Sequence, residues 1–275
     1  MTASLPESLF RAYDIRGIYE DTLTCAHAER IGQAIGEAAV EQGASPVAVG
    51  RDGRLSGPDL SAALARGIQT AGADVVDIGV VPTPALYFAT HEWPGVRSGV
   101  MVTGSHNPPE YNGFKIVING TTLSGEAIQD LKSRAERGAL AEQPGSTEQA
   151  DVLPAYLDAV VSRHPAPCAM KVVVDCGNGV AGVTVPEALE RLGHDVVRLY
   201  TEVDGTFPNH HPDPGDIDSL TDLTAAIDAH DADIGLAFDG DGDRLGVMLP
   251  GGDVIYPDIY LMALAEDLAA RQPGA

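Results

Sequence analysis

The chain carries the same succession of elements twice: a buried strand that ends in a glycine turn, an amphipathic helix and a second strand. Each unit continues with a third strand, a polar loop and a fourth strand. The strands and helices begin near residues 47, 59, 73, 98 and 114 in the first unit, and near 171, 186, 194, 234 and 245 in the second. Alternating strands and helices favour a largely parallel sheet covered by helices, with an antiparallel edge where strand, loop and strand follow directly. We therefore predict an α/β fold with two similar mixed-sheet domains.

The boundary between the two units is predicted near residue 150. Residues 139–150 have the polar, Pro- and Gly-containing composition of a linker. This gives a first domain over residues 1–150 and a second over 151–252. One strand and one helix remain after residue 252, and they cannot bury their apolar faces alone. We expect residues 253–275 to be the start of a truncated third domain; the alternative is that they pack on the second domain.

Charge and composition exclude several classes of partner. The 275 residues carry a formal net charge of -23, which argues against binding to nucleic acid or to an anionic membrane. No apolar stretch approaches the roughly 18 residues that span a bilayer, and the first ten residues do not resemble a signal peptide. The three cysteines include no Cys-x-x-Cys pair, so neither a disulfide framework nor a zinc site is predicted. We expect a cytoplasmic protein with a small-molecule ligand and predict no protein partner.

The loop of the first unit has the composition of a phosphoryl-transfer site. Residues 103–115 read Thr-Gly-Ser-His-Asn-Pro-Pro-Glu-Tyr-Asn-Gly-Phe-Lys and follow an apolar strand directly. Ser105 is the natural phosphoryl acceptor, although a serine in such a loop standing alone would more often form a turn. Phosphorylated, it would carry a charge of about -1.5 to -2 and would need a cation and basic groups nearby. The basic groups available for charge stabilisation and proton transfer are His106, Lys115, Arg16 and Arg244.

The loop of the second unit has the composition of a cation site. Residues 239–244 read Asp-Gly-Asp-Gly-Asp-Arg, and alternate side chains of an extended segment point the same way. Oxygen ligands of this kind favour Mg²⁺ or a similar hard ion. A calcium EF-hand is excluded because Arg244 and Pro250 stand where Gly and Glu are required. The alternatives are a solvated acidic turn, or an aspartyl-phosphate phosphatase site, which would leave Ser105 without a role.

Two weaker patterns are interpreted as structural. Residues 177–182 match the dinucleotide pattern Gly-x-Gly-x-x-Gly, but the acidic Asp175 precedes them, where it would face a pyrophosphate. His210 and His211 lie close to Asp213 and could suggest a metal site. The prolines around them favour a rigid loop.

Four segments together closely resemble the α-D-phosphohexomutases. They are residues 10–17 (Phe-Arg-Ala-Tyr-Asp-Ile-Arg-Gly), 103–115, 207–214 (Phe-Pro-Asn-His-His-Pro-Asp-Pro) and 239–244. Within that family, the serine loop is most similar to that of the bacterial phosphomannomutase/phosphoglucomutase group. The resemblance runs over essentially the whole chain, and the two loops are among the most specific motifs of the family.

The resemblance implies an isomerase of carbohydrate metabolism that interconverts hexose 1-phosphate and 6-phosphate, of mannose and/or glucose. The reaction would proceed through a phosphoserine and a hexose 1,6-bisphosphate, with one Mg²⁺ per chain. The implied roles are phosphoserine for Ser105, metal binding for Ser105, Asp239, Asp241 and Asp243, catalysis for Lys115, Arg16, Arg244 and His106, and substrate binding for Tyr13 and Asn107.

The sequence departs from the family in its length. The family has four domains, and the sugar-recognition loop of the third and the arginine-rich phosphate-binding loop of the fourth are not found in these 275 residues. The alternative to an active mutase is therefore a catalytically incompetent fragment that binds only Mg²⁺ or a phosphosugar.

Overall fold

The computed structural model of the chain describes residues 5–138, 140–164, 166–272 and 274. The strands are β1 Ile15–Ile18, β2 Val47–Arg51, β3 Val75–Val80, β4 Ser98–Val102, β5 Tyr111–Ile118, β6 Thr121–Thr122, β7 Thr147–Gln149, β8 Lys171–Asp175, β9 Asp195–Leu199, β10 Ile234–Phe238, β11 Leu245–Met248 and β12 Val254–Ile255. The α-helices are α1 Cys25–Glu41, α2 Gly57–Thr70, α3 Thr83–Glu92, α4 Glu126–Arg137, α5 Leu153–Arg163, α6 Val185–Arg191, α7 Thr221–His230 and α8 Pro257–Arg271. The predicted α/β class is confirmed.

The first sheet has the strand order β1-β5-β4-β2-β3-β7, with β6 beside β5. Strand β2 pairs in parallel with β3 and β4, whereas β5 runs antiparallel to β4 and to β1. The antiparallel direction of β5 relative to β4 was therefore predicted correctly. The prediction that this pair lies at the edge of the sheet was wrong. Six of the eight residues of β5 are buried, which is the pattern of an interior strand, and β1 completes the sheet beyond it.

Helices cover both faces of the first sheet because its strands are apolar on both sides. Val47 and Val49 of β2 face the cluster that includes α1, α2 and α4. Ala48, between them, faces the cluster that includes α3, with α5 packed against it. This alternation follows the two-residue period of a strand.

The second sheet repeats the arrangement in smaller form, with the order β12-β11-β10-β8-β9. The neighbours β9, β8 and β10 are parallel, and β10 turns directly into the antiparallel β11. Val173 packs in the cluster that contains α7, and Val172 and Val174 pack in the one that α6 contacts. In both sheets, therefore, one loop connects two consecutive strands, β4 to β5 and β10 to β11, and it begins at the end of a strand that has a parallel neighbour.

Part of the predicted linker is a strand. Residues 147–149 form β7, which pairs in parallel with β3 at the edge of the first sheet. Its three side chains are exposed, so it has no alternation of apolar and polar residues by which the sequence could reveal it. Ala139, the first residue of that predicted linker, lies outside the described residues.

The last segment contacts the second sheet through β12, which pairs with β11. The helix α8 that follows has no buried residue. The interpretation of residues 253–275 as the start of a further domain stays a prediction. None of the helices in the described part of the chain is both long and apolar enough to cross a membrane.

Candidate active site

The serine loop and the aspartate loop, far apart in sequence, meet between the two sheets. Ser105 Oγ donates a hydrogen bond of 2.8 Å to Asp239 Oδ2, and both residues are buried. The backbone of Ser105 has φ +52°, a left-handed conformation that non-glycine residues rarely adopt. Such conformations persist where the surroundings enforce them, and they are concentrated at functional sites.

The three aspartates converge as their spacing predicts. One carboxylate oxygen from each of Asp239, Asp241 and Asp243 lies within 4.8 Å of the other two. Asp239 Oδ1 accepts 3.0 Å bonds from the backbone amides of Asp243 and Arg244, which fixes its carboxylate. Burial, together with repulsion from Asp241 and Asp243, raises the pKa of Asp239 to about 8. Asp241 Oδ1 is buried and has no hydrogen-bond partner among the described residues. This donor set could hold a divalent cation.

Lys115 of β5 contacts the same cluster. Its Nζ lies 2.6 Å from Asp241 Oδ2 and also contacts Asp243. Burial alone would lower the pKa of Lys115, but attraction to the two carboxylates outweighs burial and raises it. Burial would likewise raise the pKa of Asp241, but Lys115 and the Thr83 hydroxyl lower it. Lys115 is therefore held here as an ammonium, the proton-donating form.

A cleft of about 460 Å³ opens onto Ser105 and Lys115. It carries four cationic side chains in a chain of strongly negative net charge. Its lining consists of Arg11, Ala12, Tyr13, Asp14, Arg16, Tyr87, Ser105, Lys115, Thr122, Asp243 and Arg244. Arg16 on β1 pairs with Asp14, and Tyr13 is largely exposed. The structure thus brings six of the predicted residues to one cleft, namely Tyr13, Arg16, Ser105, Lys115, Asp243 and Arg244.

The other two predicted residues of the serine loop lie beside the cleft lining. His106 Nδ1 is 3.4 Å from Ser105 Oγ. Burial and the nearby Arg244 lower its pKa, although Asp213 opposes the shift, so the neutral imidazole is favoured. Asn107 donates its side-chain amide to the Gly104 carbonyl at 2.8 Å, within its own loop. A substrate contact for Asn107 stays a prediction.

Sequence reasoning missed three residues of the site. Thr83, the first residue of α3, donates its amide to the Asp241 carbonyl at 2.9 Å and its hydroxyl to the Asp241 carboxylate. Tyr87, one turn later on the same helix, lines the cleft. Arg54 is buried beneath the serine loop. The only signal for Arg54 was the charged Arg-Asp-Gly-Arg turn at the end of β2, which was interpreted as a glycine turn.

The other histidine pattern has a structural role. His210 Nε2 lies 3.0 Å from Asp175 Oδ2, and Nδ1 lies 3.0 Å from the His211 carbonyl oxygen. Two oxygen acceptors favour protonation of both ring nitrogens. Burial alone would lower the pKa of His210, but these two contacts raise it. The metal interpretation of these histidines has no support. Among the described residues, the potential ligand side chains that lie close enough together to bind one metal ion are those of Asp239, Asp241 and Asp243.

The His210–Asp175 pair is expected to make stability depend on pH. A histidine pKa that is raised on folding stabilises the fold fully below its unfolded pKa, and this contribution is lost as pH rises through the folded value. His210→Asn should therefore lower the free energy of unfolding by roughly 1–3 kcal/mol at pH 5.5 and by less at pH 8. Urea unfolding at both pH values measures this, with the exposed His164→Asn as control. An equal loss at both pH values would contradict it.

Comparisons with known proteins agree with this geometry. The family description "Phosphoglucomutase/phosphomannomutase, alpha/beta/alpha domain I" matches residues 7–142, and the corresponding domain II matches residues 154–252. The chain is 56% identical over 272 residues to the phosphomannomutase/phosphoglucomutase of Pseudomonas aeruginosa, covering 99% of this chain and 58% of that protein. It is 49% identical over 275 residues to the phosphoglucomutase of Neisseria gonorrhoeae, covering 99% of this chain and 60% of that protein.

A solved structure shares the fold. The crystal structure of a phosphoglucomutase/phosphomannomutase family protein from Burkholderia thailandensis superposes with a TM-score of 0.94 at 48% identity, covering 98% of this chain and 61% of that one. This chain thus spans about three fifths of the length of the proteins it matches. Two consecutive domain matches, close relatives and a superposable structure lead to one conclusion. The chain belongs to the phosphohexomutase family, that of the phosphoglucomutases and phosphomannomutases.

Proposed function

We propose that the protein is a phosphohexomutase that interconverts hexose 1-phosphate and hexose 6-phosphate, with mannose and/or glucose as the sugar. The observation that carries the proposal is the buried Ser105 hydroxyl at the base of a cationic cleft, in contact with an acidic cluster. Close relatives named phosphomannomutase/phosphoglucomutase support the same chemistry. The chain covers 58% of that relative, so its activity and substrates come to this chain as proposals.

Ser105 would carry the phosphoryl group between the two positions of the sugar. In the uptake step, a bond forms between Ser105 Oγ and phosphorus while the bond from phosphorus to the sugar oxygen breaks. The serine proton leaves toward His106 Nδ1, which lies 3.4 Å from Ser105 Oγ on an imidazole whose lowered pKa favours the neutral, proton-accepting form. Lys115 donates a proton to the departing sugar oxygen, which its ammonium form allows. The return step reverses these transfers onto the other sugar hydroxyl, so a hexose 1,6-bisphosphate is both the intermediate and the agent that charges the serine.

The acidic cluster fits Mg²⁺. Its ligands are all oxygens, and it includes a buried Asp241 oxygen without a partner among the described residues, which a cation would satisfy. Asp239, Asp241 and Asp243 would hold the ion together with an oxygen of the phosphorylated Ser105. Bound there, Mg²⁺ would offset negative charge on the transferring phosphoryl group.

The cationic side chains would orient the substrate. Arg16 and Arg244 line the cleft on which Ser105 lies and are placed to stabilise phosphoryl oxygens. His106 would assist at the serine, and Tyr13 and Asn107 would contact the sugar. The domain limits after residues 150 and 252, and the cytoplasmic location, stay predictions.

Turnover assays test the proposed function. The protein is incubated with Mg²⁺, a catalytic amount of glucose 1,6-bisphosphate, and either glucose 1-phosphate or mannose 1-phosphate. Formation of the 6-phosphate is expected. Binding of Mg²⁺ and bisphosphate without phosphoryl transfer to Ser105 would contradict the proposal and favour the binding-only alternative.

Thr83 is expected to support metal binding through Asp241. Thr83→Val keeps the shape of the side chain but removes the hydroxyl that orients the carboxylate. Loss of such an outer partner typically weakens metal affinity about 10- to 100-fold. Calorimetric Mg²⁺ titration measures the effect. The matched control is Thr90→Val on the same helix, because Thr90 is also buried but bonds the Tyr87 carbonyl. Equal affinities in the two variants would exclude this role.

A further inference from the structure

Arg54 lies fully buried beneath the serine loop, in the turn that follows β2. Its Nη1 donates to the carbonyls of Pro108 at 2.6 Å and Tyr111 at 2.9 Å. Its Nη2 donates to the carbonyls of Ser105 at 2.8 Å and Asn107 at 2.6 Å. Four carbonyls of one loop thus converge on a single guanidinium.

Asp52 holds the other side of that guanidinium. Its carboxylate accepts from Arg54 Nε at 3.2 Å and from the Arg54 amide at 3.0 Å. The same carboxylate accepts from the Thr103 hydroxyl at 2.7 Å, and Thr103 Oγ1 in turn accepts the Ser105 amide at 2.8 Å. Arg54 and Asp52 therefore fix the serine loop at both its carbonyl and its amide groups.

We infer that Arg54 is a positioning residue for phosphoryl transfer. The planar arrangement of donors on its guanidinium group, rather than its charge alone, holds the serine loop so that the Ser105 hydroxyl faces the acidic cluster. The inference rests on the proposed role of Ser105 as phosphoryl carrier. Arg54 is absent from the lining of the cleft, so it acts through the loop and does not touch the substrate.

The loop conformation requires such a support. Ser105 has positive φ, which costs free energy in a residue with a side chain. The Gly104 backbone lies so close to the guanidinium that a Cβ there would be 2.5 Å from Arg54 Cζ. A lysine carries the same charge but cannot direct five donors in one plane. It could not satisfy four carbonyls and Asp52 together.

A segment that follows β9 of the second sheet packs against Arg54 from the opposite half of the chain. The ring of Phe207, which follows β9, lies over Arg54 with its centroid 5.3 Å from Cζ. Gly205 packs so closely that a Cβ there would be 2.3 Å from the Gly53 carbonyl oxygen. The segment 203–207 thus covers the residue that positions Ser105. The geometry of the serine loop is consequently coupled to contact between the two halves of the chain.

The test compares Arg54→Lys, Arg54→Gln and Phe207→Leu with the wild type. Arg66→Lys is the matched control, since Arg66 is exposed and makes one 3.6 Å ion pair. The first measurement is amide hydrogen exchange over residues 103–111. Both Arg54 variants should exchange there at least about tenfold faster, and Phe207→Leu by a smaller factor. The Arg66→Lys control should exchange at the wild-type rate.

The second measurement separates positioning from stability. Phosphoryl uptake by Ser105 from glucose 1,6-bisphosphate is followed in a single turnover. Its rate constant should fall about 10²-fold in both Arg54 variants, while the half-saturating bisphosphate concentration stays constant. A lysine variant with the wild-type rate would overturn the inference, because charge alone would then suffice.

Two further outcomes would also overturn it. One is wild-type exchange in the serine loop of both Arg54 variants; the other is faster exchange across both sheets, which would mean a general role in stability. If the Arg54 variants do not fold, Asp52→Asn and Phe207→Leu decide, and wild-type loop exchange in both would exclude the inference. If the wild type takes up no phosphate, the proposed function fails, and the exchange measurement still decides whether Arg54 fixes the loop.

Discussion

Ser105→Ala is expected to abolish phosphoryl uptake by the protein and to reduce turnover by on the order of 10³-fold or more. The reason is that the reaction would store the phosphoryl group on Ser105 Oγ between its two steps, and alanine has no atom to carry it. Intact-mass analysis after incubation with Mg²⁺ and glucose 1,6-bisphosphate measures the result. The wild type should gain about one phosphoryl group per chain, and the variant none.

Two controls test whether the phosphoryl group is carried by Ser105 itself and not by a neighbouring residue. Ser98→Ala removes another buried serine hydroxyl, on the strand that leads into the loop, where it accepts a bond from the Asn119 amide. This variant should still take up the phosphoryl group. His106 is another candidate nucleophile, at 3.4 Å from Ser105 Oγ, so acid stability of the label distinguishes phosphoserine from phosphohistidine. A stable phosphate on the Ser105→Ala variant would refute the assignment.

Much of the fold could be predicted because its strands are buried on both faces. Continuous apolar segments such as 47–49 and 172–174, separated by helices, indicate a parallel sheet without reference to any contact. The edge strand β7 escaped detection because its three residues are polar and exposed. It is held by backbone bonds to β3, and backbone bonds leave no signature in the side-chain pattern.

The reacting groups could also be predicted, since phosphoryl acceptor, carboxylates and basic groups stand together in two short loops. The residues that hold these reacting groups in place could not be predicted. Thr83 acts on Asp241 across 158 positions of sequence, and Arg54 acts through backbone carbonyls, which every residue possesses. A side chain that binds backbone imposes no residue type on its partners, so no local pattern reveals it.

Asp241→Asn is expected to remove most of the affinity for Mg²⁺. Asp239 and Asp241 are the fully buried members of the cluster, and Asp241 has a buried carboxylate oxygen without a hydrogen-bond partner among the described residues. The amide keeps the shape but removes the charge and replaces one oxygen ligand by an NH₂ group, which cannot bind a cation. Loss of an outer partner costs about 10- to 100-fold in metal affinity, so loss of a direct ligand should exceed about 10²-fold.

The metal's effect on stability gives a second measurement that does not depend on turnover. A ligand that binds the folded state stabilises it by about 2.7 kcal/mol at a hundred times its Kd, so Mg²⁺ should raise the Tm of the wild type. In Asp241→Asn this rise should vanish at the same concentration.

Asp243 is more exposed, with 28% of its side chain accessible, so Asp243→Asn should retain more affinity than Asp241→Asn. The exposed Asp228→Asn should behave as wild type. Unchanged Mg²⁺ affinity in Asp241→Asn would mean that the three carboxylates do not bind the metal together, and Lys115 would then have to be regarded as their permanent counter-ion.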